Sequence, residues 1–269
     1  MSNNINRTKM KKVRAIILSG YGINCEIETA YSFKKCNADA EIVHINDLLN
    51  KTKDLMNYQI LVIPGGFSFG DDIASGKVLA NKLKFKTDEI YKFIESGNLI
   101  IGICNGFQVL VKSGILPGTA HHKTQEATLT FNDSGKFEDR WVYLKVNEKT
   151  KCVWTKNLHN LFLPVRHGEG KFFCGNKILE DLKENEQIVM QYVAQNGNFA
   201  DYPDNPNGSI ENIAGICDKT GRLFGLMPHP EAYNCSENNP LWRSENKRVF
   251  PLGIEIFGNG IKFAEKNLI

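Results

Sequence analysis

No apolar run in this chain approaches the roughly 18 residues that a bilayer-spanning helix needs, and the first residues are too polar for a secretory leader. Charge of one sign is scarce as well. The 33 Lys and Arg are offset by 30 Asp and Glu, a net of +3, too little to draw the protein to nucleic acid or a membrane surface. The one basic cluster, Lys9 to Arg14, reads as a solvated lead-in to the first strand. The seven cysteines are odd in number, widely spaced and without a C-x-x-C pair, which argues against a disulfide framework and a structural zinc site. A reducing cytoplasm is the compartment that fits them. Neither a G-x-x-x-x-G-K-[ST] loop nor a G-x-G-x-x-G after a strand occurs, so no nucleotide cofactor is expected on this chain.

What is present is ordinary for a globular protein able to bury a core: 269 residues, 42% hydrophobic and 23% charged. Val13–Leu18, Ala40–Ile45, Gln59–Ile63 and Leu99–Ile103 read as apolar strands. Helices are expected over about Cys25–Cys36, with Ile27, Ala30, Tyr31 and Phe33 on its apolar side, and over about Asp88–Ser96. Such alternation predicts a flavodoxin-like α/β fold, a mostly parallel sheet with helices on both faces and its site at the carboxyl ends of the strands. The second half changes character. Thr128–Phe131 and Arg140–Val146, separated by a turn at Asn132–Gly135, alternate with period two, and Cys152–Trp154, Leu161–Val165 and Ile188–Val193 read as further strands. Ile213–Cys217 and Leu223–Met227 flank a hairpin turn. A smaller antiparallel sheet inserted in the second half is therefore expected. The tail from Ser236 is polar and ends in a helix-like segment near Phe263.

The stretch Leu99–Gln108, L-I-I-G-I-C-N-G-F-Q, carries the chemistry. An apolar strand runs into Cys104 with a glycine two residues away on each side, the pattern of a nucleophile elbow with cysteine in place of serine. Taken alone, Cys104 is equally well read as an inert core thiol. The segment Pro228-His229-Pro230-Glu231 shifts that balance, because residues two apart on an extended stretch face the same way. A Cys104–His229–Glu231 triad follows, with His229 as base and Glu231 orienting it. Gly65-Gly66 is either a plain turn after a strand or the source of an oxyanion donor; in the second reading the N–H groups of Gly66 and Asn105 form the oxyanion hole, and Phe67–Asp72 continues the pocket rim.

Together, P-G-G-F-S-F-G-D at 64–71, G-I-C-N-G-F-Q at 102–108, H-G-E-G at 167–170, N-P-N-G-S at 205–209 and G-L-M-P-H-P-E at 225–231 resemble the class I glutamine amidotransferase family. Within it they are similar to the glutaminase subunits of phosphoribosylformylglycinamidine (FGAM) synthases. The match runs over 13–242, leaving 1–12 and 243–269 as tails. The resemblance implies that Cys104 attacks the side-chain amide of L-glutamine, forms a thioester and releases ammonia. It implies a partner, the synthetase subunit of FGAM synthase, with or without a small accessory subunit; ATP and Mg are expected there and no cofactor in this chain. Phe67, Gln108 and Asn132 are the implied glutamine contacts. Two departures stand out: Ala232 replaces the arginine that often follows P-H-P-E, and the strands around Arg140–Val146 are similar to those of the single-chain form of the enzyme.

Two other readings share parts of this pattern. Chaperone and peptidase-like proteins also carry an elbow cysteine but lack the Gln108 and P-H-P-E pairing, and a non-catalytic scaffold would have lost a triad residue. His167-Gly168-Glu169-Gly170 offers too few ligands for a closed zinc site, and His44, His121, His122 and His159 show no ligand spacing, so no metal is expected. His121-His122 reads as a solvated loop pair.

Overall fold

The computed structural model describes residues 11–71, 74–84, 87–119, 124–244 and 250–269; the expectations for His121-His122, for Asp72 on the pocket rim and for the first ten residues lie outside them. The elements in order are β1 (Arg14–Ser19), α1 (Glu26–Lys35), β2 (Asp39–His44), α2 (Ile45–Leu49), β3 (Ile60–Ile63), α3 (Lys77–Lys84), α4 (Thr87–Glu95), β4 (Leu99–Ile103), α5 (Asn105–Ser113), β5 (Ala127–Phe131), β6 (Glu138–Val146), β7 (Asn160–His167), β8 (Glu169–Cys174), α6 (Asn176–Glu184), β9 (Ile188–Val193), β10 (Ile213–Cys217), β11 (Leu223–Leu226) and α7 (Ile254–Asn267).

One nine-stranded sheet runs β2-β1-β3-β4-β11-β10-β9-β6-β7. Its first five strands are parallel and the next four join antiparallel. Every residue of β3 (ILVI) and β4 (LIIGI) is buried, as expected where helices cover both faces of a parallel sheet. Helix α1 packs with α7, and α3 with α5. The carboxyl ends of β3, β4 and β11 thus sit side by side, bringing Pro64-Gly65-Gly66, Cys104 and Pro228–Glu231 to one edge.

The expected small antiparallel sheet is there as β5 with β8, but the pairing in this half differs from the simplest reading. The turn at Asn132–Gly135 forms, with Gly135 N–H donating to Asn132 O at 2.9 Å. Its flanking strands nevertheless part: β5 pairs with β8, and β6 with β7 and β9. Period-two alternation identifies a strand without saying which strand it joins. Cys152–Trp154 is not a strand; Val153–Thr155 is a 3₁₀ turn that buries Trp154. On α1 the buried residues are Thr29, Ala30, Ser32 and Phe33, whereas Ile27 and Tyr31 are exposed. Phe33 packs at a tilt against Phe257 of α7, and Thr29, Ala30 and Ser32 share its inward face while Ile27 and Tyr31 stay outside. The segment 243–269, expected as a tail, contains the 14-residue α7. It lies so close on the 3₁₀ turn that a Cβ on Gly260 would stand 2.3 Å from the Trp154 ring. Among the described residues no helix is long and apolar enough to cross a membrane.

Candidate active site

Cys104 leaves β4 and opens α5 with φ of 50° and ψ of −106°, a left-handed, strained conformation for a residue with a Cβ. Its N–H donates to Leu226 O of β11 at 2.8 Å, which pins the elbow to the neighbouring strand. The flanking glycines permit the close approach. A Cβ on Gly106 would fall 1.8 Å from Ile63 O of β3, and one on Gly102 2.6 Å from Gly106 O.

His229 follows β11, with its N–H bonded to Pro164 O of β7 at 2.8 Å. A 3₁₀ turn over Pro230–Ala232 folds Glu231 back, so that its Oε1 meets His229 Nδ1 at 2.6 Å with both side chains buried. Burial opposes charge on this imidazole, but the Glu231 carboxylate and the Cys104 thiol outweigh it and raise its pKa well above the ordinary value. With Nδ1 engaged, the buried Nε2 is the nitrogen left to face the thiols, and it has no conventional hydrogen-bond partner.

Gly65 lies between Cys104 and His229. A Cβ there would stand 2.8 Å from His229 Cε1 and 3.5 Å from Cys104 Cβ. Its carbonyl accepts from Asn24 N–H at 3.2 Å and Cys25 N–H at 3.3 Å. Because the peptide is planar and trans, those bonds also fix the direction of the Gly66 N–H. Asn105 is the first residue of α5, and its side chain accepts from Ser68 N–H and donates to Gln108 Oε1 at 3.0 Å.

The expected glutamine contacts fare unequally. Phe67 is half exposed at the rim, its ring 6.3 Å from that of Phe137. Gln108 is buried and braces α5 against β8, its Nε2 donating to Glu169 O. Asn132 is buried and bonded within the protein. Its Nδ2 donates to Lys136 O at 2.9 Å and His167 O at 2.8 Å, while its Oδ1 takes Gly170 N–H and His167 Nδ1 at 3.0 Å each. Every hydrogen-bonding position of that amide is used within the protein.

Asn132 belongs to the network that shapes H-G-E-G. Asn207 Nδ2 holds Gly170 O at 2.9 Å, and Ser209 Oγ accepts from Phe172 N–H at 2.9 Å. N-P-N-G-S thus clamps the start of β8. Burial and the nearby His229 push the pKa of His167 down to about 3, leaving it neutral. Glu169 turns away to the buried Lys112 at 3.9 Å, whose Nζ also donates to Ser75 O at 2.6 Å. The sequence reading missed Lys112, and equally Cys25, whose Sγ lies 3.3 Å from the Cβ position of Gly65. A lysine on an apolar helix face was the available signal for the first; none existed for the second.

Residues 12–264 match the family model of the CobB/CobQ-like glutamine amidotransferase domain. A Methanococcus maripaludis protein named phosphoribosylformylglycinamidine synthase subunit PurQ is 47% identical, covering 94% of this chain and 98% of its own. A Dehalococcoides mccartyi protein of the same name is 46% identical over 96% of this chain and the whole of its own. Among solved structures, a chain of PurLQS from Thermotoga maritima superposes with a TM-score of 0.69 at 30% identity, covering 94% of this chain and 99% of that one. The chain belongs to the CobB/CobQ-like glutamine amidotransferase family, among the PurQ subunits of phosphoribosylformylglycinamidine synthase.

Proposed function

We propose that the chain hydrolyses L-glutamine through Cys104 and delivers the ammonia to a synthetase subunit, which uses ATP and Mg²⁺ to aminate formylglycinamide ribonucleotide. A small accessory subunit belongs to the same reading of the complex. The observation that carries it is the strained elbow of Cys104 set against a buried His229–Glu231 pair held at 2.6 Å.

In this reading Cys104 Sγ attacks the side-chain carbonyl carbon of glutamine, and His229 Nε2 takes the thiol proton. The proton then passes to the leaving nitrogen, ammonia departs and a glutamyl thioester remains. Water, deprotonated by the same nitrogen, hydrolyses the thioester to glutamate and returns the thiol. Glu231 keeps Nδ1 protonated and offsets the charge of the imidazolium. The N–H groups of Gly66 and Asn105 stabilise the oxyanion; each such donor lowers the barrier by roughly 3 kcal/mol. A flip of the Gly65-Gly66 peptide would first have to break two bonds, those from Asn24 and Cys25.

The test is Cys104→Ala in the reconstituted complex. Amidine formation from glutamine should vanish while formation from added ammonia survives, since only the thioester step needs the sulfur. Loss of both activities together would make Cys104 a structural thiol.

A further inference from the structure

The loop that carries Gly65 and Gly66 is held by a second loop, which takes no part in the hydrolysis just described. Residues 20–25, between β1 and α1, run antiparallel to residues 64–70, with Ile23 opposite Gly66. Phe67 N–H donates to Gly22 O at 2.8 Å and Phe69 N–H to Tyr21 O at 2.5 Å, while Gly65 O accepts from Asn24 and Cys25. The two backbones touch: a Cβ on Gly22 would stand 2.3 Å from Phe67 O, and one on Gly66 2.5 Å from Gly22 O. Ile23 and Gly66 are the non-hydrogen-bonded pair of this bridge. The Gly66 N–H is therefore directed away from Ile23, and it has no acceptor among the described residues. Gly65, the residue before it, borders Cys104 and His229.

This clasp is strained. Tyr21 has φ of 46° and Phe69 φ of 57°, left-handed values that a side chain disfavours. What offsets the strain is a contact between those same two residues, whose rings stack with centroids 4.6 Å apart. Tyr21 also meets the His44 ring edge-on at 5.2 Å, and its hydroxyl accepts from Asn46 Nδ2 at 2.8 Å. Lys82 Nζ lies 5.3 Å from the centre of the Phe69 ring. Tyr21 is half exposed, so the stack stands outside the hydrophobic core.

We propose that Tyr21 is a positioning residue for glutamine hydrolysis: by stacking on Phe69 it keeps the two loops clasped, and so keeps the Gly66 N–H turned to the oxyanion. Without the ring, the strain at 21 and 69 remains and only backbone bonds oppose it. The loop then spends more time unclasped, with its donor misdirected. An oxyanion forms only as the thiolate attacks, so the loss falls on kcat rather than KM. The inference rests on the reading of Cys104 as nucleophile and Gly66 as oxyanion donor.

The experiment uses the complex of this chain with its synthetase. Tyr21→Ala and Phe69→Ala should each lower glutamine-dependent kcat about fivefold to tenfold and leave KM within about twofold. The double variant should be no slower than the slower single one, because both remove the same stack. Tyr21→Phe keeps the ring, loses only the bond from Asn46, and should restore kcat to within about twofold of wild type. Alkylation of Cys104 by iodoacetamide, followed by the mass of its peptide, passes through no oxyanion and should keep its wild-type rate in both alanine variants. Wild-type kcat in Tyr21→Ala, additive losses in the double variant, or alkylation that slows in parallel with kcat would overturn the proposal. The last would show that the whole site had moved. Phe69→Ala decides should Tyr21→Ala not fold. If enzyme alkylated at Cys104 still hydrolyses glutamine, the functional reading fails, whereas an unchanged kcat in Tyr21→Ala removes only the clasp.

Discussion

His229 and His167 are both buried, close enough to interact electrostatically, and each is followed two residues later by a glutamate. Their environments are opposite. In P-H-P-E the 3₁₀ turn folds Glu231 onto its own histidine, and the imidazole is pushed toward the charged form. In H-G-E-G the chain turns at Gly168 and Glu169 starts β8, where it meets Lys112, leaving His167 to the neutral Asn132. The same H-x-E spacing thus produces one proton-holding pair and one neutral imidazole. What separates them is the partner that the fold delivers to each carboxylate.

The largest effect that would sharpen this contrast is on turnover. His229→Asn should lower glutamine-dependent turnover about a million-fold and Glu231→Gln about ten-thousand-fold, since the base acts in every proton transfer and the carboxylate only orients it. Single-turnover measurements with saturating glutamine and synthetase read both; wild-type rates in either variant would remove that residue from the triad.

Next comes stability at the other motif. Lys112→Met leaves the half-buried Glu169 with only the Ser75 N–H as partner and should cost about 2 kcal/mol in urea unfolding. Lys183→Met, which breaks the exposed pair with Glu211 at 2.8 Å, should cost less than about 1 kcal/mol. Equal costs would show that Glu169 finds water or another donor, and the two H-x-E turns would then differ less than their geometry indicates.

The smallest effect is the response to acid. His167 has a folded-state pKa of about 3 against an ordinary 6.5, so the folded state favours its neutral form. Its contribution is complete above pH 6.5 and is lost as pH falls from there toward 3, at about 1.4 kcal/mol per unit. His229 runs the other way: its raised pKa contributes fully below about 6.5 and fades as pH rises toward the folded value. Between pH 7 and pH 5 the wild type should lose about 2 kcal/mol that His167→Asn keeps, measured by urea unfolding at both pH values. Parallel losses would mean that His167 is protonated in the folded state.

The parallel half of the fold was legible because its signals are local. The apolar runs of β3 and β4, the glycines at 102 and 106, and the prolines around His229 each constrain their own few residues. The antiparallel half was legible only as strands. The alternation of Thr128–Phe131 has no way to name β8 as its partner, which lies beyond two intervening strands. The His229–Glu231 spacing was readable in the same local way, whereas the bonds of Asn132 to His167 and Gly170 reach another segment of the chain.

By itself, then, the sequence determined the α/β alternation and the sharp turn at Cys104. Backbone sterics and side-chain period act over a few residues and leave their mark in the order of those residues. Only the tertiary structure decided which strands of the second half pair, which histidine keeps a carboxylate, and that Cys25 stands beside Cys104 and His229. Those outcomes depend on contacts closed across tens to hundreds of residues, made by loops whose length costs little and therefore constrains little.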